Sequence, residues 1–325
     1  MIFPRLPAKC LIVAGLCLLP LAVSAQSWPV KPVRVIVPFP PGATLDIMTR
    51  VVAQKAAEST GQPFVVENRA GANGQIGSEF VARSAPDGYT ILSTTVSTHI
   101  SAPYLVKKLP YDPRKDVTPI TAAVDAVTVL AVNPAMPVNS VKELVEYAKK
   151  SPGKVSYGSA GVGNAFHLIG EMFQSSQGVS LLHVPYKGIV QAVQETATGQ
   201  VDMVFSAVNN VIPLMKSNKL KVLAVLNPQR WSVLPDIPTT SESLTGFTRP
   251  DSWFGFLGPA NMPAPLLARV NGELVKALKA PDLVPKFDSM GVIVIANNPQ
   301  EFLRMYMAGF DIFGKIIKAA GIQPE

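Results

Sequence analysis

The sequence predicts an α/β protein of two lobes that are joined by two crossovers and separated by a cleft. Apolar runs typical of strands alternate with amphipathic stretches typical of helices, a pattern that indicates mostly parallel sheets. A compact strand–helix unit of about 100 residues begins near residue 125, and the last third is helical, with too few strands for a third domain. We therefore expect lobe 1 at 26–125 plus 228–325 and lobe 2 at 126–227.

Each predicted element follows from its local pattern. The strands predicted for lobe 1 are 33–37, 64–67 and 89–93, with a further strand-like run at 253–257. One helix is predicted to start near Thr44, and a second, short helix follows strand 64–67 and ends at Arg83. The strands predicted for lobe 2 are 127–132, 155–157, 180–184, 201–205 and 220–226. Ser140 with Glu143 forms a capping box, which predicts a helix start. Helices starting at Pro263 and at Asn298 complete the chain, the last one ending near Ala319.

Residues 1–25 are predicted to be a secretory signal peptide that is no part of the fold. Arg5 and Lys9 supply a positive segment, an apolar run follows, and Val23-Ser24-Ala25 provides the cleavage site. The apolar run is shorter than the ~20 residues that a spanning helix needs, which favours cleavage over a membrane anchor. We therefore expect a periplasmic protein.

Composition excludes several classes of protein. The chain has 325 residues, of which 48% are hydrophobic, so intrinsic disorder is excluded. Both cysteines precede Ala25, so the 300 residues after cleavage carry no disulfide and, with 27 basic and 22 acidic residues, a net charge of +5. The basic residues are dispersed, which argues against a nucleic-acid partner. The three histidines, His99, His167 and His183, lack metal-ligand spacing, and we expect no metal or cofactor.

The first candidate binding loop follows strand 33–37. Gly42-Ala43-Thr44 opens a helix, whose first turn presents unpaired backbone N–H groups at the positive end of the helix dipole and so suits an anion. A tight structural turn, with Thr44 as the N-cap and Asp46 satisfying the dipole, explains the same residues equally well. The residues alone leave both interpretations open.

The second candidate loop runs from Tyr157 to Asn164. Its three glycines, with Ser159 and Asn164 before a helix, form a backbone nest suited to a carboxylate or phosphate. The glycine order matches neither a P-loop nor a dinucleotide-binding loop, and G-x-S-x-G is absent. His167 follows in the helix, where a structural polar contact is the simpler role. A secreted hydrolase using Ser159 and His167 is an alternative, although no acid is obviously paired with the histidine.

Two further segments are candidates for the cleft wall. The run 93–99 is rich in hydroxyl side chains and follows a strand, but hydroxyl-rich turns are common. Tyr186-Lys187-Gly188 also follows a strand, and a solvated turn explains it equally well.

A series of short motifs runs in order along the chain after residue 25. These are Val37–Gly42 with Asp46 and Arg50, Val66–Gly74, Ala85–Thr90, Leu109–Pro113, Tyr157–Ser159 with His167, His183–Gly188, Gly199–Asp202, Leu234–Thr239 and Trp253–Gly255. Together they resemble the Bug-type receptors, which are the periplasmic solute-binding proteins of tripartite tricarboxylate transporters. The resemblance covers essentially the whole chain after the predicted signal peptide.

The resemblance implies a type II-like periplasmic binding fold of two Rossmann-like lobes with a hinge and a central cleft. It implies a receptor, not an enzyme, that closes on a small carboxylate or related amide and delivers it to the permease subunits of a transporter. We expect a monomer, and a periplasmic sensor with a signalling partner is the alternative to transport.

The resemblance also assigns the binding residues. It implies that the loop Gly42–Asp46 holds the ligand carboxylate, partly through waters, and that lobe 2 contributes 159–164. The ligand-binding residues expected are Phe39, Gly42, Ala43, Thr44, Leu45, Asp46, Asn73, Ser97, Ser159, Ala160, Gly163, Asn164, His167, Tyr186 and Ser206. Two positions depart from the family pattern, because Ala43 stands where a second glycine is usual and Leu45 where a threonine is usual. The identity of the ligand is therefore not transferable.

Overall fold

A computed structural model describes residues 28–319 and 321–324 of the chain. The predicted signal peptide and both cysteines lie outside the described residues. None of the helices in this described part is long and apolar enough to cross a membrane.

The strands and helices alternate along most of the chain. The strands are β1 (Val33–Val37), β2 (Phe64–Asn68), β3 (Thr90–Thr95), β4 (Val117–Ala126), β5 (Thr128–Val132), β6 (Ser156–Ser159), β7 (Leu182–Pro185), β8 (Met203–Ala207), β9 (Lys221–Val225), β10 (Trp253–Pro259) and β11 (Val292–Val294). The helices are α1 (Thr44–Thr60), α2 (Gln75–Ala82), α3 (Ala102–Leu105), α4 (Val141–Lys150), α5 (Ala165–Gln177), α6 (Ile189–Thr198), α7 (Val208–Lys216), α8 (Thr240–Ser243), α9 (Ala264–Leu278), α10 (Val284–Ser289) and α11 (Pro299–Ala319). Short turns of other helical types occupy Ala72–Gly74, Ser97–Ser101 and Pro281–Leu283.

The strands form two mixed sheets. The first has the order β11-β4-β10-β3-β1-β2 and the second β7-β6-β8-β5-β9. In the first, β1 is parallel to β2 and β3, whereas β10 is antiparallel to β3 and β4, and β11 is antiparallel to β4. In the second, β6 is parallel to β7 and β8, whereas β5 is antiparallel to β8 and β9.

The prediction of mostly parallel sheets is therefore wrong. Three strands run antiparallel to both of their neighbours, namely β4, β5 and β10. Of these, β5 and β10 are each the first strand after the chain crosses from one sheet to the other. Hydrophobic periodicity reports burial, not direction, so it cannot reveal this reversal. Strand β4 was not predicted, because Pro119 interrupts it. In the structure Pro119 lies opposite Leu257 next to a register shift, where a strand tolerates proline.

The first sheet is covered on both faces. Because successive side chains of a strand point to opposite faces, Val35 of β1 belongs to an apolar cluster with α1 and α9, and Ile36 to another with α2 and α11. The second cluster also contains the fully buried Leu168 of α5, a helix that contacts the second sheet, together with Phe310 and Phe313 of α11. The helices of the two sheets therefore share one apolar cluster.

The segment after β9 packs on the second sheet. Trp231 belongs to the apolar cluster of β5 and β8, Phe247 to the one that contains Tyr157, and Thr239 forms an isolated parallel bridge with Val225. The predicted lobe boundary at 227/228 therefore separates this segment from the sheet on which it packs. The chain returns to the first sheet only at residues 249–252.

The two crossovers between the sheets lie side by side. The backbone N–H of Ala126 donates to the carbonyl of Ser252 at 3.3 Å. Asp125 forms an ion pair with the buried Arg249 and accepts a hydrogen bond from Asn227 Nδ2 at 2.8 Å. We call Asp125, Asn227 and Arg249 the crossover cluster, because these side chains join the end of β4 to both segments that flank the second crossover.

Candidate functional site

The first predicted loop turns sharply before α1. Gly42 adopts a φ of +90°, which favours glycine, and its N–H donates to Asp46 Oδ2 at 2.9 Å. The N-cap of α1 is Ala43 and not Thr44, and Ala43 offers no side-chain cap. The Asp46 carboxylate thus accepts from Gly42 and not from the N–H groups of the first turn, which have no side-chain acceptor at this cap. This geometry favours the anion site over the structural turn.

Asp46 ties the loop to the neighbouring strand. Its carboxylate is almost fully buried and accepts hydrogen bonds from Arg50 Nε at 3.0 Å and from Asn68 Nδ2 at 2.8 Å. Asn68 Nδ2 also donates to the carbonyl of Phe39 at 3.0 Å. Burial acts to raise the pKa of Asp46, but the hydrogen bonds from Arg50, Gly42 and Asn68 outweigh it and lower the pKa. Asp46 is therefore an ionised residue that positions the loop.

A cavity of about 330 Å³ lies between the two sheets, beside the first turn of α1. From the first sheet it is lined by the loop before α1, by the end of β3 and by the start of β10. Ala165, the first residue of α5, lines it from the other side. The complete lining is Phe39, Ala43, Thr44, Leu45, Thr95, Val96, Ser97, Ala165, Ser252, Trp253 and Phe254.

Contacts with neighbouring residues hold the lining side chains in place. The Thr95 and Ser97 hydroxyls are 2.8 Å apart, and Ser97 begins the π-helical turn Ser97–Ser101. Trp253 is fully buried and packs edge-on against Phe302 of α11, with ring centroids 5.0 Å apart. The side chain of Leu45 is buried in the core behind the loop. The cavity therefore combines hydroxyl groups with a braced apolar wall.

Several backbone N–H groups of the second predicted loop are hydrogen-bonded to side chains of the protein itself. Ser159 is fully buried, and its Oγ lies 2.6 Å from His183 Nε2 and accepts from the N–H of Gly161 at 3.1 Å. The N–H of Gly163 donates to His167 Nδ1 at 3.0 Å, and Asn164 caps α5 through its side chain. These hydrogen bonds use N–H groups that the sequence suggested for an anion.

The histidines beside this loop are neutral near pH 7. His183 and His167 stack with ring centroids 4.1 Å apart. Burial, reinforced by the neighbouring His167, lowers the pKa of His183 to about 4, and burial also lowers the pKa of His167. Ser159 is hydrogen-bonded to His183 and not to His167, and it does not line the cavity. The pairing that the hydrolase alternative required is therefore not formed.

Five of the predicted binding residues line the cavity, namely Phe39, Ala43, Thr44, Leu45 and Ser97. Gly163 and Asn164 line a neighbouring groove instead, together with Leu105 and the described C-terminal residues. Asn73 is exposed on the turn before α2, and Tyr186 packs in an apolar cluster of the second sheet. Gly42, Asp46, Ser159, Ala160, His167 and Ser206 are also outside the lining, and the Ser206 hydroxyl accepts from Asn210 Nδ2 at 3.2 Å.

Six lining residues were not predicted, namely Thr95, Val96, Ala165, Ser252, Trp253 and Phe254. Thr95 and Val96 lie within the polar run 93–99, which the sequence analysis identified as a candidate segment of the cleft wall, so their place in the lining could have been predicted. Ser252 and Phe254 reach the cavity because β10 pairs antiparallel with β3, which places Phe254 opposite Thr95. No local pattern in the sequence predicts this pairing of β10 with β3.

Metal binding finds no support in the described part of the chain. Residues 28–319 and 321–324 contain no group of three or more His, Cys, Asp or Glu side chains that could hold a metal ion.

Comparison with known proteins gives consistent matches over nearly the whole chain. The family model described as "Tripartite tricarboxylate transporter family receptor" matches residues 48–322. The protein BugT of Bordetella pertussis is 33% identical over 280 residues, covering 86% of each chain. The structure of R. palustris Rpa4515 with adipate is 31% identical with a TM-score of 0.73, covering 92% of this chain and 100% of that one. MatC from Rhodopseudomonas palustris with bound malate is 28% identical with a TM-score of 0.68, covering 89% and 100%.

Proposed function

Because the chain belongs to the family of tripartite tricarboxylate transporter receptors, we propose that it captures a small carboxylate or related amide and delivers it to a membrane permease. The observation that carries this proposal is the first turn of α1, whose N-cap provides no side-chain acceptor and whose residues Ala43, Thr44 and Leu45 line the cavity. The structures of Rpa4515 with adipate and of MatC with malate support a carboxylate as the ligand class.

The ligand carboxylate binds at the N-terminus of α1. Its oxygens accept hydrogen bonds from the free N–H groups of the first turn and from the Thr44 and Ser97 hydroxyls. Each charge-assisted hydrogen bond contributes about 1.5–3 kcal/mol, and the helix dipole adds a favourable field. Asp46 does not contact the ligand, since its oxygens are occupied by Gly42, Arg50 and Asn68. Capture requires no bond to be made or broken, so the chain acts as a receptor and not as an enzyme.

Closure of two lobes around the cavity buries the ligand. We place lobe 1 on the first sheet and lobe 2 on the second, with the hinge at the adjacent crossovers at 126–127 and 249–252. The position of Ala165 across the cavity from the α1 loop supports closure, as does the pairing of Ala126 with Ser252. Hinge bending of a few residues is a common way to sequester a ligand.

The receptor acts in the periplasm as a monomer. The family is one of periplasmic receptors, and the positive segment, apolar run and small residues of 1–25 support export by a cleaved signal peptide. The partner is the integral membrane part of a tripartite transporter. Ligand-dependent retention of the purified receptor on membranes that contain such a permease tests the partner, and equal retention with and without ligand would argue against delivery.

The site is tested by removing one backbone donor. Thr44→Pro deletes the N–H of the first helical residue, a position where proline fits a helix, and the extended backbone of Ala43 suits a following proline. Thr44→Ala is the matched control, because it removes the hydroxyl and keeps the N–H. By isothermal calorimetry with the tightest acid of a carboxylate panel, we expect Thr44→Pro to bind about tenfold weaker than Thr44→Ala, in line with one charge-assisted hydrogen bond. Equal affinities, or no binding by any small acid or amide, would refute the site.

A further inference from the structure

The lining of the cavity carries no charge. Phe39, Trp253 and Phe254 supply aromatic surface, and Val96 extends it. The polar lining consists of hydroxyl groups, as in Thr44 and Ser97. Among the described residues that line the cavity, none is Asp, Glu, Lys, Arg or His.

The two arginines near the cavity, Arg50 and Arg249, are each engaged by a carboxylate. Arg50 of α1 is held by Asp46, with Nη2 3.0 Å from Oδ1. Arg249, which precedes the lining residue Ser252, is held by Asp125. Burial lowers the pKa of both His167 and His183, so neither ring supplies a positive charge near pH 7. The groups that favour an anion at the cavity are therefore the N-terminus of α1 and the hydroxyls.

This arrangement suits one ionised carboxylate and disfavours a second. The first carboxylate is satisfied by N–H groups and hydroxyls at one end of the cavity. A second carboxylate would lie against Phe39, Val96 or Phe254 without a counter-charge, and the desolvation of an unpaired ion is strongly unfavourable. Aromatic walls instead favour an apolar body, and a planar ring gains offset or edge contacts with them.

We propose that the ligand is an acid with a single ionised carboxylate on an apolar, preferably planar body that fits within about 330 Å³. This proposal rests on the proposed function and specifies the ligand class of the same cavity. It sets this chain apart from a receptor for malate or adipate, each of which carries two carboxylates.

Matched acid pairs test the proposal by calorimetry at pH 7.5. Hexanoate against adipate, and benzoate against terephthalate, differ by one carboxylate on the same body. We expect the monoacid of each pair to bind at least tenfold more tightly than the diacid. Diacids that bind as tightly as the monoacids, or a preference for a hydroxylated acid such as malate, would overturn the proposal while leaving the receptor function intact. No binding by any acid would overturn both.

A variant separates charge from shape. Phe254 is half-buried and belongs to the apolar wall against which a second carboxylate would lie. Phe254→Arg therefore adds a cation at that end of the cavity, and Phe254→Met is the matched variant that removes the ring without adding charge. We expect the ratio of hexanoate to adipate affinity to lie at least tenfold further towards adipate in Phe254→Arg than in Phe254→Met. Equal ratios in the two variants would show that lining charge does not set the preference, which would overturn the proposal.

Discussion

The backbone N–H of Ser252 donates to Asp125 Oδ1 at 3.2 Å. Ser252 lines the cavity, whereas Asp125 belongs to the crossover cluster. The cavity wall and the connection between the sheets are therefore held by one carboxylate, which also forms the ion pair with Arg249. Asp125 is therefore a direct contact of both places.

Removal of Arg249 should destabilise the whole chain. Arg249→Met leaves Asp125 partly buried without its cation, and loss of one partner of a buried pair costs about 3–5 kcal/mol. The measurement is the free energy of unfolding in urea. The control is Glu79→Gln, which breaks the exposed Arg83–Glu79 pair and should change stability by less than about 1 kcal/mol. Similar losses in the two variants would show that the crossover cluster is not a stabilising contact.

Gly42→Ala should weaken both the fold and the binding of ligand. A Cβ at Gly42 meets no atom within 4 Å, but the φ of +90° strains any L side chain by about 1–2 kcal/mol. Gly178 at the end of α5 is the matched control, because its φ is +60° and its Cβ position is equally open. Both variants should lower the melting temperature, and only Gly42→Ala should reduce acid affinity. Equal effects of the two variants on affinity would contradict the assigned loop.

The burial of His99 should lower the free energy of unfolding at acidic pH. The ring is fully buried, and Nδ1 lies 3.3 Å from the Tyr306 hydroxyl, which donates to the carbonyl of Pro113 at 2.7 Å. Burial lowers the pKa of His99 from 6.5 to about 3. Below pH 6.5 His99 takes up a proton in the unfolded chain but not in the folded chain. The contribution of His99 to the free energy of unfolding is therefore fully present above pH 6.5 and is lost as the pH falls towards 3.

The measurement is the free energy of unfolding between pH 7 and pH 3 for the unmodified chain and for His99→Gln. The loss due to His99 is on the order of several kcal/mol over this range. His183, His167 and Asp46 also have lowered pKa values, but they titrate in both chains, so the difference in slope between pH 6.5 and about 3 isolates His99. Identical slopes in that interval would show that His99 is not the group responsible.

Gly170→Ala should overpack the core of the second sheet. A Cβ at Gly170 would overlap the ring of the fully buried Tyr157, so the ring must move, at a cost of about 1–3 kcal/mol. Gly272 in α9 has open space at the same position, and Gly272→Ala should stabilise the protein by about 0.5–1 kcal/mol. Opposite shifts of the melting temperature confirm the packing, and a stable Gly170→Ala would contradict it.

Local signals predicted local structure well. The cap at Ser140 is present, with the N–H of Glu143 bonded to its hydroxyl, although the Glu143 carboxylate accepts from Asn139 instead of closing the box on Ser140. The loop before α1 was placed correctly, because glycine and a helix start are readable from sequence. The direction of β5 and β10 was not readable, since it depends on where the chain crosses between sheets.

The same distinction applies to the cavity. Ser97 was identified from its own strand and loop, whereas Ser252 and Ala165 reach the cavity only through pairing of β10 with β3 and packing of α5 near the first sheet. Long-range pairing of this kind leaves no periodic trace in the chain. Ser206, which was also predicted, is buried outside the lining of this cavity, and its hydroxyl accepts a hydrogen bond from Asn210 of α7.

Under the proposed closure of the two lobes, the burial of Leu168 among the side chains of α11 is a contact that opening must break. Separating α5 from α11 returns this side chain to water, which costs about 1.5–3 kcal/mol for a leucine. A ligand that enters only after such a separation meets a receptive protein in roughly one encounter in ten to a hundred. The association rate constant then falls below the diffusion limit by that factor, and dissociation is slowed by the same apolar contact that must break for release.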